Sequence, residues 1–138
     1  MIEIYTDGAY SSSRDQGGWA FVVVKDDELL YKDYDGLLNT TNQRMEIIAM
    51  IKTLEFIKNY SIPLPITIYS DSLYVINTIT KNWNKKANIE LWDILIPLIN
   101  KDINYVHVKG HNGNKFNEEC DKWAVFGSNL LNCKNDKE

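Results

Sequence analysis

The sequence predicts an α/β fold in which helices pack on a five-stranded mixed sheet. Three observations lead to this prediction. Residues near the N-terminus alternate between apolar and polar, as in a strand with one buried face. Two further apolar runs flank a short polar turn, which is typical of an antiparallel hairpin. Beyond residue 40, helix-like and strand-like segments alternate, which indicates parallel strands joined by helices.

The first three predicted elements are strands. Met1–Asp7 places Ile2, Ile4 and Thr6 on one face and three more polar residues on the other, and Asp7-Gly8 is expected to end the strand. Ser11–Gly18 is polar and predicts a loop. Trp19–Val24 and Leu29–Tyr34 then predict the two strands of the hairpin.

The rest of the chain is predicted to alternate between helices and strands. Asn39-Thr40-Thr41-Asn42 contains helix-capping residues, and apolar residues then recur at helical spacing. The predicted elements are a helix over 43–58, a strand over 66–69, a helix over 70–80, a polar connection over 81–88, a helix over 89–99, a strand over 105–108, a loop over 109–114 and a helix over 114–131. We therefore expect one domain over residues 1–131 and a polar tail over 132–138.

The overall composition does not indicate nucleic-acid binding, because the 138 residues carry a net charge of −4. Any such binding must depend on local charge. The two cysteines, Cys120 and Cys133, lack metal-type spacing and indicate reduced thiols in a cytoplasmic protein. Apolar runs fall short of the roughly 18 residues of a membrane span, and no signal peptide precedes the first strand. We expect a monomer with no membrane contact.

Two similar tetrapeptides, Ile4-Tyr5-Thr6-Asp7 and Ile68-Tyr69-Ser70-Asp71, each close a predicted strand. If the strands are parallel neighbours, Asp7 and Asp71 emerge at the same sheet edge, where ligands of open α/β sheets bind. Each aspartate alone has a structural alternative. Asp7 before a glycine is typical of a turn, and Asp71 is typical of a helix cap.

Two further acids border apolar faces of predicted helices. Glu46 is expected in the first turn of its helix, where the helix dipole favours an acid, and it shares a helical column with Met50. Asp121 lies beside Cys120 and Ala124. Four converging carboxylates repel one another unless cations neutralise them, and hard oxygen ligands favour Mg²⁺ or Mn²⁺.

Five segments resemble the type 1 ribonuclease H family, in the family's order and over essentially the whole chain. They are Ile4-Tyr5-Thr6-Asp7-Gly8-Ala9, Thr40-Thr41-Asn42-Gln43-Arg44-Met45-Glu46, Tyr69-Ser70-Asp71-Ser72, Val108-Lys109-Gly110-His111 and Asn117-Glu118-Glu119-Cys120-Asp121. The resemblance implies a ribonuclease H-like fold. It also implies an endonuclease that uses two Mg²⁺ ions, with Mn²⁺ as a substitute, to hydrolyse the RNA strand of RNA–DNA hybrids and leave 5′-phosphate and 3′-hydroxyl ends.

The resemblance also implies residue roles. Asp7, Glu46, Asp71 and Asp121 would bind the metal ions and catalyse, and His111 would assist proton movement or product release. Glu118 would contribute to product release. The residues implied in substrate binding are Thr41, Asn42, Gln43, Tyr74, Trp83, Lys85 and Lys86. Core packing is the alternative for Tyr74 and Trp83, and solvation is the alternative for His111.

Two features depart from the family pattern. Leu73 stands where many members have glutamine, and the long basic helix and loop of many bacterial members is shortened to residues 82–88. Both departures are expected to weaken hybrid binding rather than catalysis. The alternatives are a catalytically inactive hybrid-binding module, a resolvase or integrase core of the same fold, a reverse transcriptase's ribonuclease domain, and a purely structural protein.

Overall fold

The computed structural model describes residues 1–109 and 113–135, with side chains up to residue 130. Within these residues, five strands form one sheet and four helices pack on it, which confirms the predicted fold class. The strands are β1 (Ile2–Ser11), β2 (Gln16–Lys25), β3 (Glu28–Leu38), β4 (Ile66–Ser70) and β5 (Ile103–His107). The helices are α1 (Asn42–Asn59), α2 (Leu73–Thr80), α3 (Ile89–Leu95) and α4 (Lys115–Asn135).

The sheet has the strand order β3-β2-β1-β4-β5 and is mixed. β1 pairs with β2, and β2 with β3, in antiparallel fashion. β1 pairs with β4, and β4 with β5, in parallel. Tyr5 lies opposite Tyr69 and Thr6 opposite Ser70. The two tetrapeptides are therefore in register, and Asp7 and Asp71 follow at the same edge of the sheet.

Both faces of the sheet are buried by helices, and β1 contributes to both cores. Ile4 belongs to the larger core, which includes residues of α1, α2 and α3. Tyr5, the next residue, belongs to a second core with Phe116, Cys120 and Ala124 of α4. The predicted alternation of β1 is therefore confirmed. In the described part of the chain, no helix combines the length and apolarity needed to cross a membrane.

The predicted loop over Ser11–Gly18 is wrong at both of its ends. β1 does not end at Gly8 but continues to Ser11, and β2 begins at Gln16. Gly18 lies in β2, where its missing side chain lets α4 approach the backbone. A Cβ atom there would lie 2.5 Å from the Ser128 nitrogen and nearer still to the Ala124 carbonyl oxygen.

Other boundaries differ by smaller amounts. The helix predicted over 89–99 ends at Leu95, and one 3₁₀ turn, which contains Pro97, follows over Ile96–Leu98. β3 extends four residues beyond its predicted end, β5 begins two residues before its predicted start, and α4 continues to Asn135 rather than ending near residue 131. The N-cap of α1 is Thr41, whose side chain accepts a hydrogen bond from the Arg44 amide at 3.1 Å.

Candidate active site

An acid-lined cleft of about 580 Å³ opens where β1 and β4 carry their aspartates. Asp7, Glu46, Asp71 and Asp121 all line it. One carboxylate oxygen from each of Asp7, Glu46 and Asp71 lies within 4.8 Å of the others. The parallel register of β1 and β4 brings the two aspartates together, and α1 adds the glutamate.

Gly8 lets α1 approach β1 closely enough to place Glu46 in this cleft. A Cβ atom at Gly8 would lie 2.6 Å from the Glu46 nitrogen, so any other residue would push the helix away. The Gly8 amide donates a hydrogen bond to Glu46 Oε1 and another to Asp7 Oδ1. Glu46 is the fifth residue of α1, so its predicted place in the first turn is wrong. The contact with β1, rather than the helix dipole, accounts for its position.

Asp121 reaches the cleft from the opposite face of the sheet. Its carboxyl group lies close enough to Asp7 to help raise the pKa of that aspartate. The preceding residue, Cys120, is fully buried, and its thiol donates to the Tyr5 carbonyl at 3.3 Å and to the Ala20 carbonyl at 3.4 Å. These contacts fix the first turns of α4 against β1 and β2, which holds Asp121 beside Asp7.

The structure contradicts the structural alternatives for the two strand-end aspartates. Asp7 lies within β1 with 2% of its surface exposed, so it is not a turn residue. Asp71 is not the cap of α2. That cap is Ser72, whose hydroxyl accepts from the Val75 amide at 3.2 Å. Neither aspartate is therefore required for a turn or a helix end.

The crowding of these acids makes ionisation costly without a cation. Burial raises the pKa of Asp7 well above its usual range, and the charges of Glu46 and Asp71 raise it further. The pKa of Glu46 is raised by burial and then by Asp71. Among the described residues, Asp7 Oδ2 is buried with no hydrogen-bond partner. A divalent cation fits this donor set, because it would ligate that oxygen and neutralise the acids.

The groove residues predicted from the sequence lie partly around the cleft. Asn42 and Gln43 are exposed and line it. Tyr74 lines it too, but its hydroxyl accepts from Trp92 Nε1 at 3.0 Å and its ring packs edge-on against Trp92. Tyr74 therefore packs on Trp92 and also lines the cleft, and its role in substrate binding stays a prediction. Thr41 is exposed and caps α1 just outside the cleft lining.

Four further predicted site residues, all in the described part of the chain, are not among the residues that line the cleft: Trp83, Lys85, Lys86 and Glu118. Trp83 is 43% exposed, which contradicts core packing, and it shares an irregular segment with Lys85 and Lys86. Glu118 is exposed in the first turn of α4. His111 lies outside the described residues.

Sequence reasoning missed Tyr10 as a residue of the cleft lining. Its hydroxyl donates to Asp15 Oδ1 at 2.9 Å, so the ring is tied to the tight turn between β1 and β2. Tyr10 was assigned to no element because β1 was expected to end at Gly8. Extending the alternation of β1 by three residues would have placed it.

Solved structures with the same fold define the class. A structure described as LC11-RNase H1 in complex with an RNA/DNA hybrid superposes with a TM-score of 0.82 at 17% identity, covering 95% of this chain and 99% of that one. The N-terminal RNase H domain of a Mycobacterium tuberculosis protein, solved as a fusion with maltose-binding protein, gives a TM-score of 0.82 at 19% identity, with 97% of each chain covered. The chain thus has the ribonuclease H fold with an acidic cleft.

Sequence comparison identifies the family. The sequence model of the RNase H family matches residues 1–129. The ribonuclease H of Syntrophomonas wolfei is 42% identical over 139 aligned positions, covering 89% of this chain and 92% of that protein. The ribonuclease H of Acetivibrio thermocellus is 36% identical, with 90% and 92% covered. The chain belongs to the RNase H family, and the enzyme class predicted from its motifs is confirmed.

Proposed function

We propose that this enzyme hydrolyses the RNA strand of RNA–DNA hybrids and that Asp7, Glu46, Asp71 and Asp121 hold two Mg²⁺ ions, for which Mn²⁺ can substitute. The observation that carries the proposal is the crowding of these carboxylates in one cleft. The named ribonuclease H relatives support the substrate, as does the fold shared with a protein solved on an RNA/DNA hybrid.

Each acid has a distinct place in this scheme. Asp7, whose pKa all three other acids raise, is assigned to both ions. Asp121 is assigned to the ion beside the attacking water, and Glu46 and Asp71 to the leaving-group side. When bound, such a pair of ions activates water and stabilises the attacking and leaving oxygens of a phosphodiester. The products are then a 5′-phosphate and a 3′-hydroxyl.

Contacts within the protein position the acids before substrate binds. Gly8 holds one oxygen of Glu46 by its amide, and the contacts of Cys120 hold the first turns of α4. Backbone groups of β1 therefore help to position Glu46 directly and Asp121 through Cys120. We assign His111 to proton movement or product release, and Glu118 to product release.

Substrate recognition is assigned to residues in and beside the cleft and to the segment over residues 82–88. Asn42 and Gln43 carry amide groups that can hydrogen-bond 2′-hydroxyls in the shallow minor groove of the hybrid. Thr41 is assigned to a DNA phosphate. Tyr74 and Trp83 are assigned to the DNA-strand channel, with Lys85 and Lys86 contacting phosphates.

The decisive experiment incubates the 138-residue chain with Mg²⁺ and matched RNA–RNA, DNA–DNA and RNA–DNA duplexes. We expect cleavage of the RNA strand of the hybrid alone, and none in chelator. Sequencing the product ends checks the predicted 5′-phosphates. Binding without cleavage would indicate an inactive binding module, and cleavage of DNA–DNA would indicate a nuclease of another specificity.

The predicted cytoplasmic location, monomeric state and boundary between a domain over 1–131 and a tail over 132–138 stay predictions. Cell fractionation, sedimentation and activity of a chain shortened after residue 131 would check them in turn.

A further inference from the structure

The segment over residues 82–88, here named the basic segment, has neither helix nor strand to fix its position. Asn82 and Asn88, at its two ends, both adopt positive φ angles of 51° and 56°. Lys85 Nζ donates to Asn82 Oδ1 at 3.0 Å and to the Trp83 carbonyl at 3.4 Å. These bonds lie inside the segment and give it local shape, but they do not attach it to the rest of the protein.

Arg44 supplies an attachment from α1. Its Nη1 donates to Asn88 Oδ1 at 3.1 Å and forms an ion pair with the Glu90 carboxylate. The bond from Arg44 to Asn88 links the basic segment to α1. Within residues 1–109 and 113–135, it is the only hydrogen bond from this segment to an element other than its flanking helices, α2 and α3. Arg44 directly follows Asn42 and Gln43, which line the cleft.

We propose that Arg44 is a positioning residue that holds the basic segment beside the N-terminus of α1, so that its lysines and the cleft residues contact the same duplex. The proposal rests on the proposed function, because it assumes that the duplex is the substrate. An arginine suits this role since its planar group can bond Asn88 and Glu90 together. Asn88 is the N-cap of α3 and adopts the left-handed conformation. A bond that holds its side chain therefore holds the end of the basic segment.

A direct contact between Arg44 and a phosphate is the competing explanation, and Glu90 distinguishes the two. Glu90→Ala removes the ion-pair partner and leaves the Arg44 cation free. If Arg44 only positions the segment, this variant should bind hybrid more weakly. If Arg44 contacts phosphate, loss of a negative charge should leave affinity unchanged or raise it.

The variants to compare are Arg44→Gln, Glu90→Ala and the control Glu55→Ala. Glu55 is a partly exposed acid beside a cation, Lys52, at 3.9 Å, so its removal changes the net charge by the same amount as Glu90→Ala. We expect Arg44→Gln and Glu90→Ala each to raise KM for hybrid about three- to tenfold, which is in the range of interaction energies between residues in contact. Their kcat should stay within about twofold of that of the unaltered chain. Glu55→Ala should behave as the unaltered chain. An effect on kcat alone would overturn the proposal.

Combination with Lys85→Ala and Lys86→Ala tests whether Arg44 acts through these lysines. In that background, Arg44→Gln should add less than about half of its single effect on log KM, because the groups that it positions are gone. Full additivity would overturn the proposal.

Hydrogen exchange of the free protein separates this proposal from the proposed function. Arg44→Gln and Glu90→Ala should speed exchange over residues 82–88 but leave β1 and β4 protected, and Glu55→Ala should do neither. If the unaltered chain failed to cleave hybrid while the two variants still showed these exchange changes, the proposed substrate would be wrong and the positioning role would stand. Unchanged exchange in both variants would overturn the positioning role itself.

Discussion

The acid-lined cleft and the basic segment carry charges of opposite sign and differ in how far those charges are buried. The cleft acids lie in β1, α1 and α4 and just after β4, and Asp7 and Glu46 are buried. The basic segment is irregular and largely exposed. Burial strengthens the interaction between charges, whereas water and salt weaken it. A single change in the cleft should therefore have a large effect, and a change in the segment a small and salt-dependent one.

The largest effect is expected for Asp71→Asn, which removes a proposed metal ligand. Cleavage should fall to the rate measured in chelator. In chelator, the variant should be as stable as the unaltered chain or more stable, since one like charge leaves a crowded site. Activity assays and thermal melts check both parts, with Asp93→Asn, an exposed acid of α3, as the control. A clear loss of stability in chelator would mean that Asp71 is mainly structural.

A smaller effect is expected for His111→Ala, because the histidine is assigned to turnover rather than to metal binding. The rate should fall by less than about 100-fold, below the usual contribution of an essential acid or base. The dependence on metal concentration should stay unchanged. Loss as complete as that of Asp7→Asn would show a primary role, and an unchanged rate would favour a solvated loop residue.

The comparison predicts a modest effect for Lys85→Ala with Lys86→Ala. Affinity for hybrid should fall about equally for any sequence, and the slope of log K against log salt should flatten by about 0.7–0.9 for each lost contact. The rate on saturating substrate should stay nearly intact. Salt titrations in Ca²⁺ measure the slope, and Lys25→Ala with Lys58→Ala is the control. A steep slope that the first pair leaves unchanged would place the DNA-binding surface elsewhere.

The smallest effect concerns the pH dependence of stability without metal. Folding raises the pKa values of Asp7 and Glu46 above their unfolded values of about 4. The contribution of these two acids to the free energy of unfolding is therefore fully present below that pH and is lost as pH rises. Thermal melts in chelator should therefore show Tm falling by several degrees between pH 5 and pH 8. Asp7→Asn should reduce this fall. A Tm that rises with pH by the same amount in both chains would contradict the raised values.

The fold and the acid cluster were predictable because their signals are local and repeated. The tetrapeptides before Asp7 and Asp71 carry the same pattern, which predicts both aspartates at one sheet edge if their strands are parallel neighbours, and the structure confirms the parallel pairing. The contacts that place Glu46 depend on the fit of α1 against Gly8, which no spacing reveals. The pairing of Arg44 with Asn88 and Glu90 joins residues more than 40 positions apart, so it needed the folded chain.

Gly18 has a consequence for Asp121, which lies on the same helix that covers this glycine. Because backbone meets backbone at Ala124 and Ser128, α4 has little freedom to slide or turn on β2. A slip of one residue would advance the helix by about 1.5 Å and rotate it by about 100°, which would carry Asp121 out of the cleft. The geometry of the cleft thus depends partly on Gly18, which has no side chain and is not one of the cleft residues.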